Sequence, residues 1–77
     1  MEKERTLAQL SVGETASVLE VNGDGPVSKR LMEMGLVPGV SVRLVKRAPF
    51  GCPLQISLRG YHLALRRSEA DEISVSR

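Results

Sequence analysis

The segment Leu54–Arg67, LQISLRGYHLALRR, decides the fold. Its first half places Leu54, Ile56 and Leu58 at alternate positions, and its second half does the same with Leu63 and Leu65. A period of two marks a strand with one buried face. Gly60 and Tyr61 separate the runs, and glycine at the first central position suits a two-residue type II′ turn. This reading predicts a hairpin in which Arg59 faces His62, Leu58 faces Leu63 and Ile56 faces Leu65. A slip of one residue would send the two apolar sets to opposite faces, so the pattern opposes it.

Upstream, VSVRLVKR (Val40–Arg47) alternates in the same way through Val40, Val42 and Leu44, and reads as another strand. Pro38-Gly39 before it fits a type II turn, with proline presetting one dihedral and glycine supplying a positive φ. PVSKRLMEMG (Pro26–Gly35) reads as the helix. Pro26 suits the first helical position, where its missing amide hydrogen costs nothing. Val27, Leu31 and Met34 recur at i, i+4 and i+7 as its apolar face, leaving Lys29, Arg30 and Glu33 mostly outside. Gly35 suits the left-handed residue that ends a helix, with Leu36 covering the last turn.

TASVLEV (Thr15–Val21) is a strand whose apolar positions change phase, Ala16 and Val18 on one face and Val21 on the other, which predicts a bulge. TLAQ (Thr6–Gln9) fits a capping box opening one helical turn, with Leu7 and Leu10 inward; Val12-Gly13 then turns the chain. At the other end, Ser68 caps one turn with Asp71 at its third position, and Ile73 and Val75 close as a short inward strand. About five short strands and one short α-helix in so small a chain imply a mainly β fold. The best match is a strongly bent SH3-like barrel, since closure hides strand edges. Residues 1–5 read as a tail and 6–77 as the domain.

A chain of 77 residues makes one domain. Its apolar content is mostly Leu and Val, with one Phe and one Tyr. Branched aliphatics suit half-buried strands. A single cysteine, Cys52, forms no internal disulfide and favours a reducing compartment. The charged start and the lack of a long apolar run argue against a signal peptide or a membrane span, which points to a cytoplasmic protein. Net charge is +2, but no acid lies between Glu33 and Glu69, an interval holding Arg43, Lys46, Arg47, Arg59, Arg66 and Arg67. Such an interval attracts anionic partners if its cations share a face. Equally, strands put alternate residues into water.

Site chemistry is sparse. Cys52 and His62 are the only soft metal ligands, whereas zinc usually takes four ligands; the hairpin puts His62 on a polar face, away from Cys52. Neither a base nor a helix start lies near Cys52 to activate it. NGDGP (Asn22–Pro26) lacks the Lys-Ser/Thr end of a phosphate loop. No catalytic set emerges, and no cofactor is implied. APFGCP (Ala48–Pro53) is a loop stiffened by two prolines. It either displays Phe50 to a partner or folds it back over the barrel end.

Three stretches in this order, LAQLSVGETASVLEV (Leu7–Val21), KRLMEMGLVPGVSVRLV (Lys29–Val45) and APFGCPLQISLRGYHLALRRSEADEISV (Ala48–Val75), resemble the FeoA family of bacterial ferrous iron uptake. The resemblance implies an SH3-like barrel without enzymatic activity. It also implies a partner, the FeoB-like membrane iron transporter, whose cytoplasmic part includes a GTP-binding domain, so that membrane association comes only through that partner. It implies that the domain need not bind iron itself. Similar domains close some metal-dependent repressors, a role that would require a preceding DNA-binding domain. Cys52 stands where the family has a small or acidic residue. The expected contact residues are Lys29, Arg30 and Glu33 on the helix, Phe50 on the loop, and Arg66 and Arg67 after the hairpin. The rival reading, a nucleic-acid-binding SH3-like barrel, needs stacking aromatics, and only Phe50 and Tyr61 are available. A metal carrier is a third reading, and it has a poor ligand set.

Overall fold

The hairpin forms, with a different turn. In the computed structural model, which describes residues 5–23 and 25–76, β4 (Leu54–Leu58) and β5 (Tyr61–Leu65) pair antiparallel. Leu58 faces Tyr61, Ile56 faces Leu63 and Leu54 faces Leu65, while His62 faces Ser57. The turn is therefore Arg59-Gly60, with φ of +49° and +86°. Two positive φ values make it type I′ rather than II′. Moving a two-residue loop by one position shifts register by two, which preserves which face each side chain takes. Core still meets core, so alternation alone could not separate the two turns. Arg59 leaves the ladder, and Tyr61 enters it.

Among the described residues, six strands, against the roughly five expected, form one antiparallel sheet in the order β1 (Arg5–Thr6), β6 (Ile73–Val75), β2 (Thr15–Val21), β3 (Ser41–Arg47), β4 and β5. Residues 1–4 of the expected tail lie outside the described residues, and Arg5 pairs with Val75 in β1. β2 serves β3 through Thr15–Ser17 and β6 through Val18–Val21, with the expected register shift between Val18 and Glu20. A second shift interrupts β3 between Leu44 and Lys46. Bulges bend strands, and these two let the sheet curl around one core. That core contains Leu7, Leu10, Leu31, Leu36, Leu44, Leu54, Ile56 and Ile73, each fully buried. Burying one such side chain contributes about 1.5–3 kcal/mol.

The helix α1 (Pro26–Glu33) opens on Gly25 as its cap, with Pro26 next. Its inner face is Ser28 and Leu31, with Met34 packed at the core edge; Val27 is exposed, contrary to the periodic reading. Ser28 tolerates burial because its hydroxyl donates to the Gly25 carbonyl at 3.1 Å. The helix stops as expected. Gly35 takes φ +103°, its amide donates to Met32 at 3.0 Å, and the Leu36 amide donates to Leu31 at 3.2 Å. Buried Leu36 seals the end. The Val40 amide donating to Val37 at 3.1 Å closes the Pro38-Gly39 turn.

The first expected cap is seen in one of its two hydrogen bonds, and the second is displaced by two residues. The Thr6 amide donates to Gln9 Oε1 at 2.8 Å in the single-turn 3-10 helix Leu7–Gln9, but Thr6 Oγ1 has no partner. In α2 (Arg67–Ala70) the cap is Arg66, not Ser68, and the acid is Glu69, not Asp71: the Arg66 amide donates to Glu69 Oε1 at 2.9 Å. This earlier start brings Ala70 into the core ahead of β6. All three residues of β6 are buried, and Ser74 Oγ accepts from Asn22 Nδ2 at 2.8 Å.

One ion pair ties β1 to the turn before β2. Arg5 Nη2 meets Glu14 Oε2 at 2.6 Å, and Glu14 Oε1 accepts the Ser11 amide at 2.9 Å. The Arg5 hydrogen bond, then that amide, hold the Glu14 carboxyl below the usual glutamate range. A group depressed on folding stabilises fully above its unfolded pKa and loses that contribution as pH falls through its folded pKa. Acidification below the ordinary glutamate range should therefore weaken this end of the domain. Melting curves from pH 7 to pH 3 check it: Glu14→Gln should melt lower than wild type at neutral pH and converge with it in acid.

Candidate functional site

The expected contact residues fall into two groups. Lys29, Arg30 and Glu33 are exposed on α1, and Arg66 and Arg67 are exposed at the start of α2. Arg30 Nη2 lies 3.6 Å from Glu69 Oε2, so the two helices are joined by an ion pair across their surface. The pair is largely open on the arginine side, where such contacts contribute little, about 0–1 kcal/mol. It orients Arg30 more than it stabilises the fold.

Between the start of α1 and α2 lies a cleft of about 410 Å³, lined by residues including Asn22, Gly25, Val27, Arg66, Ser68 and Glu72. Its walls mix one arginine with carboxylates, hydroxyls and an exposed valine. This lining offers hydrogen bonds of both polarities to a peptide-like surface. Among the described residues, Ser28 of this lining gives its hydroxyl hydrogen to the Gly25 carbonyl rather than to a carboxylate.

Phe50 belongs to neither helix. It sits in the kinked segment Pro49–Gly51 between β3 and β4, with its side chain fully in solvent and a non-helical φ of +69°. Of the two fates left open by the sequence, the structure takes display. The Ala48 amide donates to the Pro53 carbonyl at 3.1 Å and closes the loop base. Strand register places this loop relative to α2. Arg47 faces Leu54, and Leu54 faces Leu65, the residue before Arg66. Adjacent strands lie about 4.8 Å apart, so the loop and the Arg66-Arg67 pair emerge from the same end of β3–β4–β5.

Not every cation of the acid-free interval faces solvent. Arg47 is turned toward the protein: its Nη2 donates to the carbonyls of Ala8 at 2.8 Å and Leu10 at 2.6 Å. Sequence reasoning missed this tie because the partners lie 39 and 37 residues away. Tyr61 was also missed: its hydroxyl donates to the Met34 carbonyl at the end of α1. Cys52 is exposed in the loop, and His62 is exposed on β5. Among the described residues, no group of three or more His, Cys, Asp or Glu side chains is placed to hold a metal. Nor is any helix among them long and apolar enough to cross a membrane.

Known proteins are similar to this chain in sequence and geometry. A family model of the FeoA domain matches residues 5–77. The Fe(2+) transport protein A/Fe(2+) transporter FeoB fusion protein of Porphyromonas gingivalis is 36% identical over 69 residues, 90% of this chain. The chain spans 8% of that relative's length. Among solved structures, FeoA of Stenotrophomonas maltophilia, a zinc complex described as an SH3 domain protein, superposes with a TM-score of 0.84 at 34% identity. The match covers 94% of this chain and 89% of that one. The FeoA-like protein of Clostridium acetobutylicum gives 0.89 at 34% identity, over 99% and 88%. The curled six-stranded sheet is the SH3-like architecture expected from the sequence.

Proposed function

The chain belongs to the FeoA domain family, and from that premise we propose that it is a non-enzymatic cytoplasmic module that binds and modulates the cytoplasmic part of a FeoB-like ferrous iron transporter. The observation that carries this reading is the Porphyromonas gingivalis relative, named as one polypeptide joining transport protein A to transporter FeoB. Fusing two partners raises their effective concentration and makes a weak contact productive.

The exposed residues of α1 and α2, Lys29, Arg30, Glu33, Arg66 and Arg67, together with Phe50, are the proposed contacts. They combine one aromatic with charges of both signs, as interface rims and anchors do. A nucleic-acid role draws less support, because Arg47 is engaged internally and stacking residues are few.

Cells lacking this chain should take up ferrous iron more slowly at limiting supply, with the rate restored by the chain in trans. Uptake of radiolabelled ferrous iron measures it. Unchanged uptake in the deletion strain would overturn the reading.

A further inference from the structure

We propose that Phe50 is a preformed knob that inserts into an apolar socket with a carboxylate rim on the partner protein; this rests on the transporter-binding reading above. Phe50 is the chain's only phenylalanine, and its side chain is fully exposed. Its φ of +69° lies in the left-handed region, which non-glycine residues other than Asn and Asp rarely adopt. Such strain persists only where the surrounding chain enforces it, and it clusters at binding sites. Here Pro49 fixes its own φ beside the ring, and the Ala48–Pro53 hydrogen bond closes the loop around it. The ring is thus held out at a cost to folding that Gly or Asn would not incur. Because the loop is already ordered, docking forfeits little conformational freedom.

Charge specifies the socket. Exposed Lys46, Arg66 and Arg67 stand at the same end of the sheet as the loop, by the register of β3, β4 and β5. A protein pocket that receives the ring and meets these cations carries Asp or Glu at its edge. An anionic lipid surface fits less well. One aromatic is a weak anchor, stable membrane attachment takes two signals, and Glu69, Asp71 and Glu72 come soon after the two arginines.

The test measures binding of the full chain to the full-length transporter in detergent micelles, with circular dichroism melts confirming folding. Phe50→Gly relieves the positive φ, so it should melt no lower than wild type, yet bind about 30-fold more weakly, as loss of a central aromatic anchor does. Phe50→Leu should fall between the two. Arg66→Gln with Arg67→Gln should slow association and flatten its salt dependence. A loss below tenfold for Phe50→Gly overturns the knob and leaves the transporter reading intact. Absence of wild-type binding overturns both. Wild-type binding to phosphatidylglycerol vesicles that Phe50→Gly abolishes, with transporter binding unchanged, assigns the ring to lipid and overturns the socket.

Discussion

Gly35→Ala is expected to lower the domain's stability by about 2–3 kcal/mol, a fall of roughly 10–20 °C in melting temperature. Two effects add. The φ of +103° is natural to glycine, and forcing alanine there costs about 1–2 kcal/mol. A Cβ at this position would also lie 2.6 Å from Tyr61 Oη, inside contact distance. The ring cannot yield freely, since its hydroxyl donates to the Met34 carbonyl; displacing it costs about 1 kcal/mol for that hydrogen bond. A double-mutant cycle with Tyr61→Phe separates the two effects, because removing the hydroxyl removes the clash and leaves the dihedral penalty. Equal losses for Gly35→Ala in both backgrounds would show that the tyrosine plays no part. Loss of less than about 0.5 kcal/mol in the wild-type background would contradict the helix-end geometry itself.

Arg47→Ala is expected to cost about 2–4 kcal/mol, because it strips a charged donor from two carbonyls at once. Ala8 and Leu10 are buried, so water reaches their carbonyls poorly once the guanidinium is gone. A domain of 77 residues has a total stability of only about 4–12 kcal/mol, so this single change takes a large share. Arg47→Met keeps much of the aliphatic stem and isolates the polar contribution. It should lose nearly as much as alanine. Denaturant unfolding gives the magnitude, and amide exchange gives the location: protection should fall first across Leu7–Leu10. If Arg47→Met matches wild type, the stem's packing is what Arg47 supplies, and the two hydrogen bonds are replaceable by water.

These two positions divide what is legible in a chain from what is not. Gly35 announces itself, because a helical repeat that ends at glycine followed by a leucine is a local signal with a local cause. The same holds for Pro38-Gly39, for the change of phase in Thr15–Val21 and for the alternation in β3 and β4. Arg47 has no local signal. It sits in a basic, strand-like run and looks solvated; only the return of the chain sets two carbonyls in front of it. The α1 face was misread at Val27 for a related reason. Periodicity reports which side of a helix is apolar, and at the first turn the neighbouring elements decided instead, burying Ser28 through its own hydrogen bond to Gly25.

The candidate contacts follow the same division. That Lys29, Arg30 and Glu33 are outside follows from charge and helical period. That Arg30 meets Glu69, and that the Phe50 loop shares an end of the sheet with Arg66, follows from strand register and helix placement. The sequence by itself determined the strand faces, the helix and its stop, and the absence of a recognisable catalytic motif, because each rests on spacing within a few residues. Tertiary structure decided the Arg59-Gly60 turn, the sixth strand, the internal role of Arg47 and the outward Phe50. In each of these, two locally acceptable conformations differ only in what a distant part of the chain places beside them.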